Sequence, residues 1–107
     1  MLIREVIAVG ECYRWAGKYI TSTGRGVLVH ATVHDLWDGH AYQHAWIEDN
    51  GKCLDWQTME VGSSKYGKKG WPKEEFYGAY KPINIKRYDE NKATTMLVKN
   101  KHWGPWE

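Results

Sequence analysis

A thiol, an imidazole and a carboxylate follow one another along the chain at Cys12, His44 and Asp55. A thiol beside an imidazole can hand over its proton and become a thiolate, the form that attacks a carbonyl carbon. A carboxylate on the far ring nitrogen fixes the tautomer and steadies the imidazolium. Brought into one crevice, the three would serve as nucleophile, base and orienting group for acyl chemistry. They lie far apart in sequence, so the chemistry depends on the elements that carry them.

A hairpin carries two of them. The stretch HAWIEDNGKCLDW, residues 44–56, sets Asn50-Gly51 between two apolar-rich runs. That dipeptide readily supplies the two positive φ angles of a type I′ turn. The turn places Asp49 opposite Lys52, Ile47 opposite Leu54, Trp46 opposite Asp55 and His44 opposite Gln57. Side chains alternate with period two, so His44, Trp46, Glu48, Cys53, Asp55 and Gln57 share one side. Ala45, Ile47, Leu54 and Trp56 take the other. His44 and Asp55 become diagonal neighbours, roughly 7–8 Å apart between backbones and within side-chain reach.

A helix over residues 11–21 carries the third. Cys12, Trp15, Ala16, Tyr19 and Ile20 form an apolar stripe, with Glu11, Arg14 and Lys18 opposite. Gly17 weakens this helix by roughly 1 kcal/mol relative to Ala, so packing must hold it. The expectation is that the helix covers the His44 side of the hairpin, and that the C-terminal helix covers the Ala45 side. Cys12 then falls in a first helical turn, where unpaired N–H groups favour an anion, against the opposing charge of Glu11. Its own N–H is the expected oxyanion donor.

The remaining pattern is an extended segment at 2–9, a loop at 21–26, and a strand at 27–36. A turn at 37–40 leads to strands at 41–49 and 52–57, then a long irregular stretch at 58–77. A further strand at 83–88 precedes a helix from an Asp89 cap to about residue 99, with Ala93, Met96 and Leu97 inward. The closing HWGPWE should pack back on the domain. Helix, antiparallel strands and helix make an α+β arrangement, expected to be one domain over residues 1–107.

Composition narrows the class. Hydrophobic residues make up 42% and charged residues 26%, which excludes a disordered chain. Seven Trp and seven Tyr can fill a small core or line a cleft. A formal charge of +2 is too small to argue for nucleic acid. No stretch nears the ~20 apolar residues that span a bilayer, so no membrane partner is expected. Arg4 and Glu5 break the opening segment, so it lacks a signal peptide's apolar core and the cytoplasm is the expected location. In that reducing compartment Cys12 and Cys53 should both be thiols, Cys53 with a structural role.

The pieces GECYRWA (10–16), HAWIE (44–48) and LDWQ (54–57) resemble the transglutaminase-like branch of the papain-like cysteine enzymes. VLVHATVH (27–34) and GPW (104–106) also look like small bacterial and phage proteins with that core. The resemblance covers the first 60 residues well and the rest loosely. It implies a papain-like fold and thiolate attack on an amide or ester to give a thioester, completed by water or an amine. The chain is much shorter than a full transglutaminase, which favours a minimal hydrolase over a crosslinking enzyme. The substrate implied is a peptide or protein.

Other readings compete. Cys12 on an apolar stripe is by itself an ordinary core cysteine. His30 and His34 have i, i+4 spacing, but on a strand they lie roughly 13 Å apart, too far for one ion, and should be half-exposed. No metal or cofactor is expected. The lysines at 65, 68, 69 and 73, near Tyr66 and Trp71, could track a phosphate backbone, although a solvated loop is the commoner meaning. A second class of function is a catalytically idle binding module that grips a partner protein, for instance a phage-encoded inhibitor of a host protein.

Overall fold

The computed structural model describes residues 2–61 and 66–106, the side chains of residues 2–10 and 61 excepted. Helix α1 (Leu2–Thr23) leads into strands β1 (Val27–His34), β2 (Ala41–Asp49) and β3 (Lys52–Leu54). A π-helical turn (Gln57–Val61) and a 3₁₀ turn (Gly67–Lys69) follow. Then come β4 (Trp71–Pro72), α2 (Lys73–Tyr80), β5 (Ile83–Tyr88) and α3 (Glu90–Asn100). The strands form one antiparallel sheet in the order β4-β3-β2-β1-β5. The α+β arrangement read from the sequence is the one observed.

The hairpin turns at Asn50 and Gly51, with φ of 54° and 78°. Asp49 pairs with Lys52 and Ile47 with Leu54, as the turn type requires. There the pairing ends. The strand expected through residue 57 stops at Leu54, because the chain coils into the π-helical turn. Trp46 and His44 therefore have no cross-strand partners in Asp55 and Gln57.

Both faces of the sheet are covered. On one, Tyr13, Ala16 and Ile20 of α1 and Ala93 of α3 pack on Leu28, Ala45, Ile47 and Tyr88. On the other, Phe76 and Tyr80 of α2 pack on Val29, Ala31, Val33, Trp46 and Cys53. The expected placement of α1 is thus corrected. It lies with α3 on the Ala45 face, and α2 covers the His44 face. The reason is α2 itself, whose first five residues fall within the stretch expected to be irregular. Its apolar content is concentrated in four aromatic and small positions, Phe76, Tyr77, Ala79 and Tyr80, too few for a clear periodic signal.

Two terminal features lock the α1 face. Trp103 and Trp106 pack against its core, so the tail returns to the domain as expected. A Cβ on Gly17 would lie 2.5 Å from Trp103 Cε3, so the glycine makes a seat for that indole. Asp89 caps α3 by accepting the Lys92 N–H at 2.8 Å. Among the described residues no helix is long and apolar enough to cross a membrane.

Candidate active site

Cys12, His44 and Asp55 converge, each by a different local cause. His44 points from β2 toward α2, between Tyr42, Trp46 and Tyr80, with ring centroids 5.9, 5.9 and 6.4 Å away. Asp55 comes just after β3, and its backbone and side chain hold the start of the π-helical turn. Its carbonyl accepts the Met59 N–H at 2.9 Å. Its Oδ1 accepts the Thr58 N–H at 2.8 Å, which leaves Oδ2 for His44 Nε2 at 3.0 Å. β3 pairs only with Ile47–Asp49, so near His44 the β2 edge has no strand partner on that side. Cys12 acts on the imidazole although α1 itself lies on the opposite face.

The electrostatics join the three groups. Burial works against the charged form of His44, but the charge of Cys12 and the Asp55 hydrogen bond outweigh it and push the imidazole up to about 10. Burial also opposes the Asp55 carboxylate, and its bonds from His44 and Thr58 nevertheless hold the carboxyl below its ordinary range. With Nε2 committed to Asp55, Nδ1 has no well-aligned hydrogen bond. Cys12 acts on the ring both as a charge and as a hydrogen-bond partner. The arrangement can keep an imidazolium beside sulfur with a carboxylate behind it.

Two expectations about Cys12 are corrected. The segment over residues 2–9 is helical rather than extended, so Cys12 stands three turns inside α1 and gains nothing from a helix terminus. Its N–H is committed to the carbonyl four residues back and is not an oxyanion donor. Arg4 and Glu5, which break the apolar run, are both compatible with a helix, and Gly10 did not end it.

Two phenols that no sequence motif marks stand beside the imidazole, their ring centroids 5.9 and 6.4 Å from His44. Burial, with the neighbouring Tyr80, Cys12, Asp35 and Asp55 charges, raises the Tyr42 hydroxyl well above its ordinary value. Burial, with Asp55, Cys12 and Asp35, raises Tyr80 to about 12. Both stay protonated at neutral pH and remain donors. Tyr42 lies two residues before His44 on β2, so strand alternation could have found it. Tyr80 lies on α2 and had no such signal.

The three groups are closed off from solvent, with 0, 1 and 2% of Cys12, His44 and Asp55 exposed. The π-helical turn is fastened to α1 by Trp15 Nε1, which donates to Glu60 Oε2 at 3.1 Å.

The other candidates take structural places. Cys53 is a buried free thiol, as is Cys12, and burial pushes it up to about 12. His30 is buried rather than half-exposed, packed among Tyr13, Tyr88 and Trp106. The expectation failed because the returning tail covers that strand. His34 Nδ1 lies 2.9 Å from the Lys81 carbonyl. Asp35, Asp38 and His40 bring ligand atoms within 4.8 Å of one another in the β1–β2 turn. Asp35 Oδ1 there accepts the Trp37 N–H, and Asp38 Oδ1 meets the backbone and ring of His40, so turn geometry accounts for the cluster. Lys65 lies outside the described residues. Lys73 instead pairs with Glu48 at 3.5 Å.

Comparison of the chain with protein-family models, curated proteins and solved structures finds no match.

Proposed function

We propose that the chain is a cysteine-dependent hydrolase or acyl transferase acting on amide bonds of a peptide or protein, built on a papain-like core of the transglutaminase-like kind. One observation carries this reading: the His44 imidazole bonds Asp55 through Nε2 and is also acted on by the charge and hydrogen bonding of Cys12. A core cysteine needs no imidazole, and a structural histidine needs no sulfur.

In the proposed reaction the Cys12 proton resides on His44, and Sγ forms a bond to the substrate carbonyl carbon. The carbonyl π electrons move to oxygen, where the Tyr42 and Tyr80 hydroxyls supply donors in place of the helical N–H. The imidazolium returns its proton to the amine as the C–N bond breaks, leaving a thioester on Cys12. Water or a second amine then attacks the thioester, with neutral His44 taking its proton. The thiol leaves and is regenerated. Asp55 keeps Nε2 protonated throughout and stabilises the charged ring.

Burial of the triad favours the second reading, a catalytically idle module that kept the fold and grips a partner protein. Treatment with p-nitrophenyl acetate separates the two. The enzyme reading expects a p-nitrophenol burst and one acetyl adduct, mapped by peptide mass spectrometry to Cys12. The adduct should be lost in His44→Ala and in Cys12→Ser. A folded protein that acquires no adduct on Cys12, or acquires it equally without His44, defeats the enzyme and leaves the binding module.

A further inference from the structure

His44 and Asp55 are buried, so a substrate reaches them only when an element that covers them moves. Of the elements that touch the pair, α1 carries Cys12, and the π-helical turn is held at its start by Asp55 itself. Displacing either displaces a member of the candidate triad. α2 carries none of the three. It lies directly over the histidine. The Tyr80 ring centroid is 6.4 Å from that of His44 and 4.7 Å from that of Phe76, and Phe76 stands 4.8 Å from Trp46.

α2 has little stability of its own. It has eight residues, and isolated helices shorter than about 12–15 residues are marginal in water. Its buried side chains are Phe76 and Tyr80. Gly78 stands exposed in its middle, where a Cβ would meet nothing within 4 Å, so packing does not require the glycine and the helix is weakened by it. What fastens the helix is Glu48, which strand alternation puts on the same side as His44. One Glu48 oxygen accepts the Tyr77 hydroxyl and, at 3.3 Å, the Trp46 indole N–H. The other lies 3.5 Å from Lys73 Nζ and accepts Arg87 Nε–H at 3.3 Å. Lys73 and Arg87 are half-exposed and solvent screens their pairing, so the bond from Tyr77 to the charged carboxylate is the strongest tie.

We propose that α2 is a lid over His44 and that Glu48 is the positioning residue that latches it, an inference that rests on the enzyme reading above. Both ends of the helix are pinned to strands or their turns. The Lys73 N–H donates to the Gly51 carbonyl at 3.0 Å, and His34 Nδ1 lies 2.9 Å from the Lys81 carbonyl. The lid therefore opens by local unfolding between these points, and its closing returns Tyr80 to His44.

The test reads the opening itself, which is independent of Cys12 reactivity. Cys53 reports it, since that thiol packs against Phe76 and Tyr80. Iodoacetamide labelling of Cys53, mapped by mass spectrometry, and hydrogen exchange at the amides of residues 77–81 are followed as urea is raised, with β1 and β2 amides as the reference. Both readouts should show an opening with a weaker urea dependence than the reference amides, because it exposes less surface than global unfolding. Tyr77→Phe should quicken both about tenfold, as loss of a hydrogen bond to a charged group allows. Gly78→Ala should slow both about four- to fivefold through helix propensity. A urea dependence equal to that of β1 and β2, or indifference to either substitution, overturns the latched lid. The expected pattern with no acetyl adduct on Cys12 would leave the lid standing and defeat the enzyme reading alone.

Discussion

Asp55 gives one carboxylate oxygen to His44 Nε2 at 3.0 Å and the other to the Thr58 N–H at 2.8 Å. One side chain thus orients the imidazole and starts the next turn of the chain.

Asp55 sets the acid limit of stability. Its carboxyl is held low by His44 and Thr58, so its contribution is present above the unfolded value of about 3.9 and is lost as pH falls through the folded value. Urea unfolding should show stability falling by up to about 1.4 kcal/mol per pH unit on the acid side. Asp55→Asn should flatten that limb, and an unchanged slope would show that the carboxylate gains no stabilisation from folding.

The Trp15–Glu60 hydrogen bond ties the π-helical turn to α1 and is exposed. Cys12 is fully buried, so any reagent must wait for a local opening. Glu60→Ala removes the tie without touching the triad. Iodoacetamide labelling of Cys12 should then quicken about two- to fivefold, as loss of an exposed hydrogen bond allows. Cys53 packs against Phe76 and Tyr80 of α2, so its labelling should not change. Equal acceleration at both thiols would mean global loosening instead.

Gly17 and Trp103 make a coupled pair. Gly17→Ala improves helix propensity by about 1 kcal/mol. Its new Cβ would lie 2.5 Å from the indole ring, however, and overpacking of this kind costs about 1–3 kcal/mol. The net effect should be destabilising in wild type, with a lower denaturant midpoint. With Trp103→Ala in place the same change should become stabilising, and a double-mutant cycle measures the sign reversal. Additive effects would show that the indole does not rest on this glycine.

Much of this was legible locally. Asn50-Gly51 fixed the turn and the register of the first pairs, and Asp89 marked the start of α3 to the residue. The bounds of β2 and β5 followed from alternation. What failed depended on distant packing. The end of β3 is decided by Asp55 capping the next turn, and LDWQ reads equally well as strand. The face that α1 covers is decided by α2, whose aromatic cluster looks like loop until Trp71 and Trp46 pack against it. His44 and Asp55 meet nonetheless, by a different route. The diagonal strand neighbours expected became a strand histidine and a capping aspartate.

The phenols beside His44 give the last prediction. A helix-interior thiol has no free N–H of its own to offer a developing oxyanion, so another donor must do so. Tyr42 and Tyr80 are held protonated by burial and by the negative groups around them, which suits them to donate. Tyr42→Phe and Tyr80→Phe keep the aromatic packing around His44 and remove one hydroxyl each. Loss of a true oxyanion donor costs about 10²–10³ in rate. At least one of the two variants should therefore lose that much in acetylation of Cys12 by p-nitrophenyl acetate. Its iodoacetamide labelling, which forms no oxyanion, should stay within about twofold, well short of that loss. A parallel fall in both reactions would assign the phenols to packing, and wild-type acetylation in both variants would remove them from the mechanism.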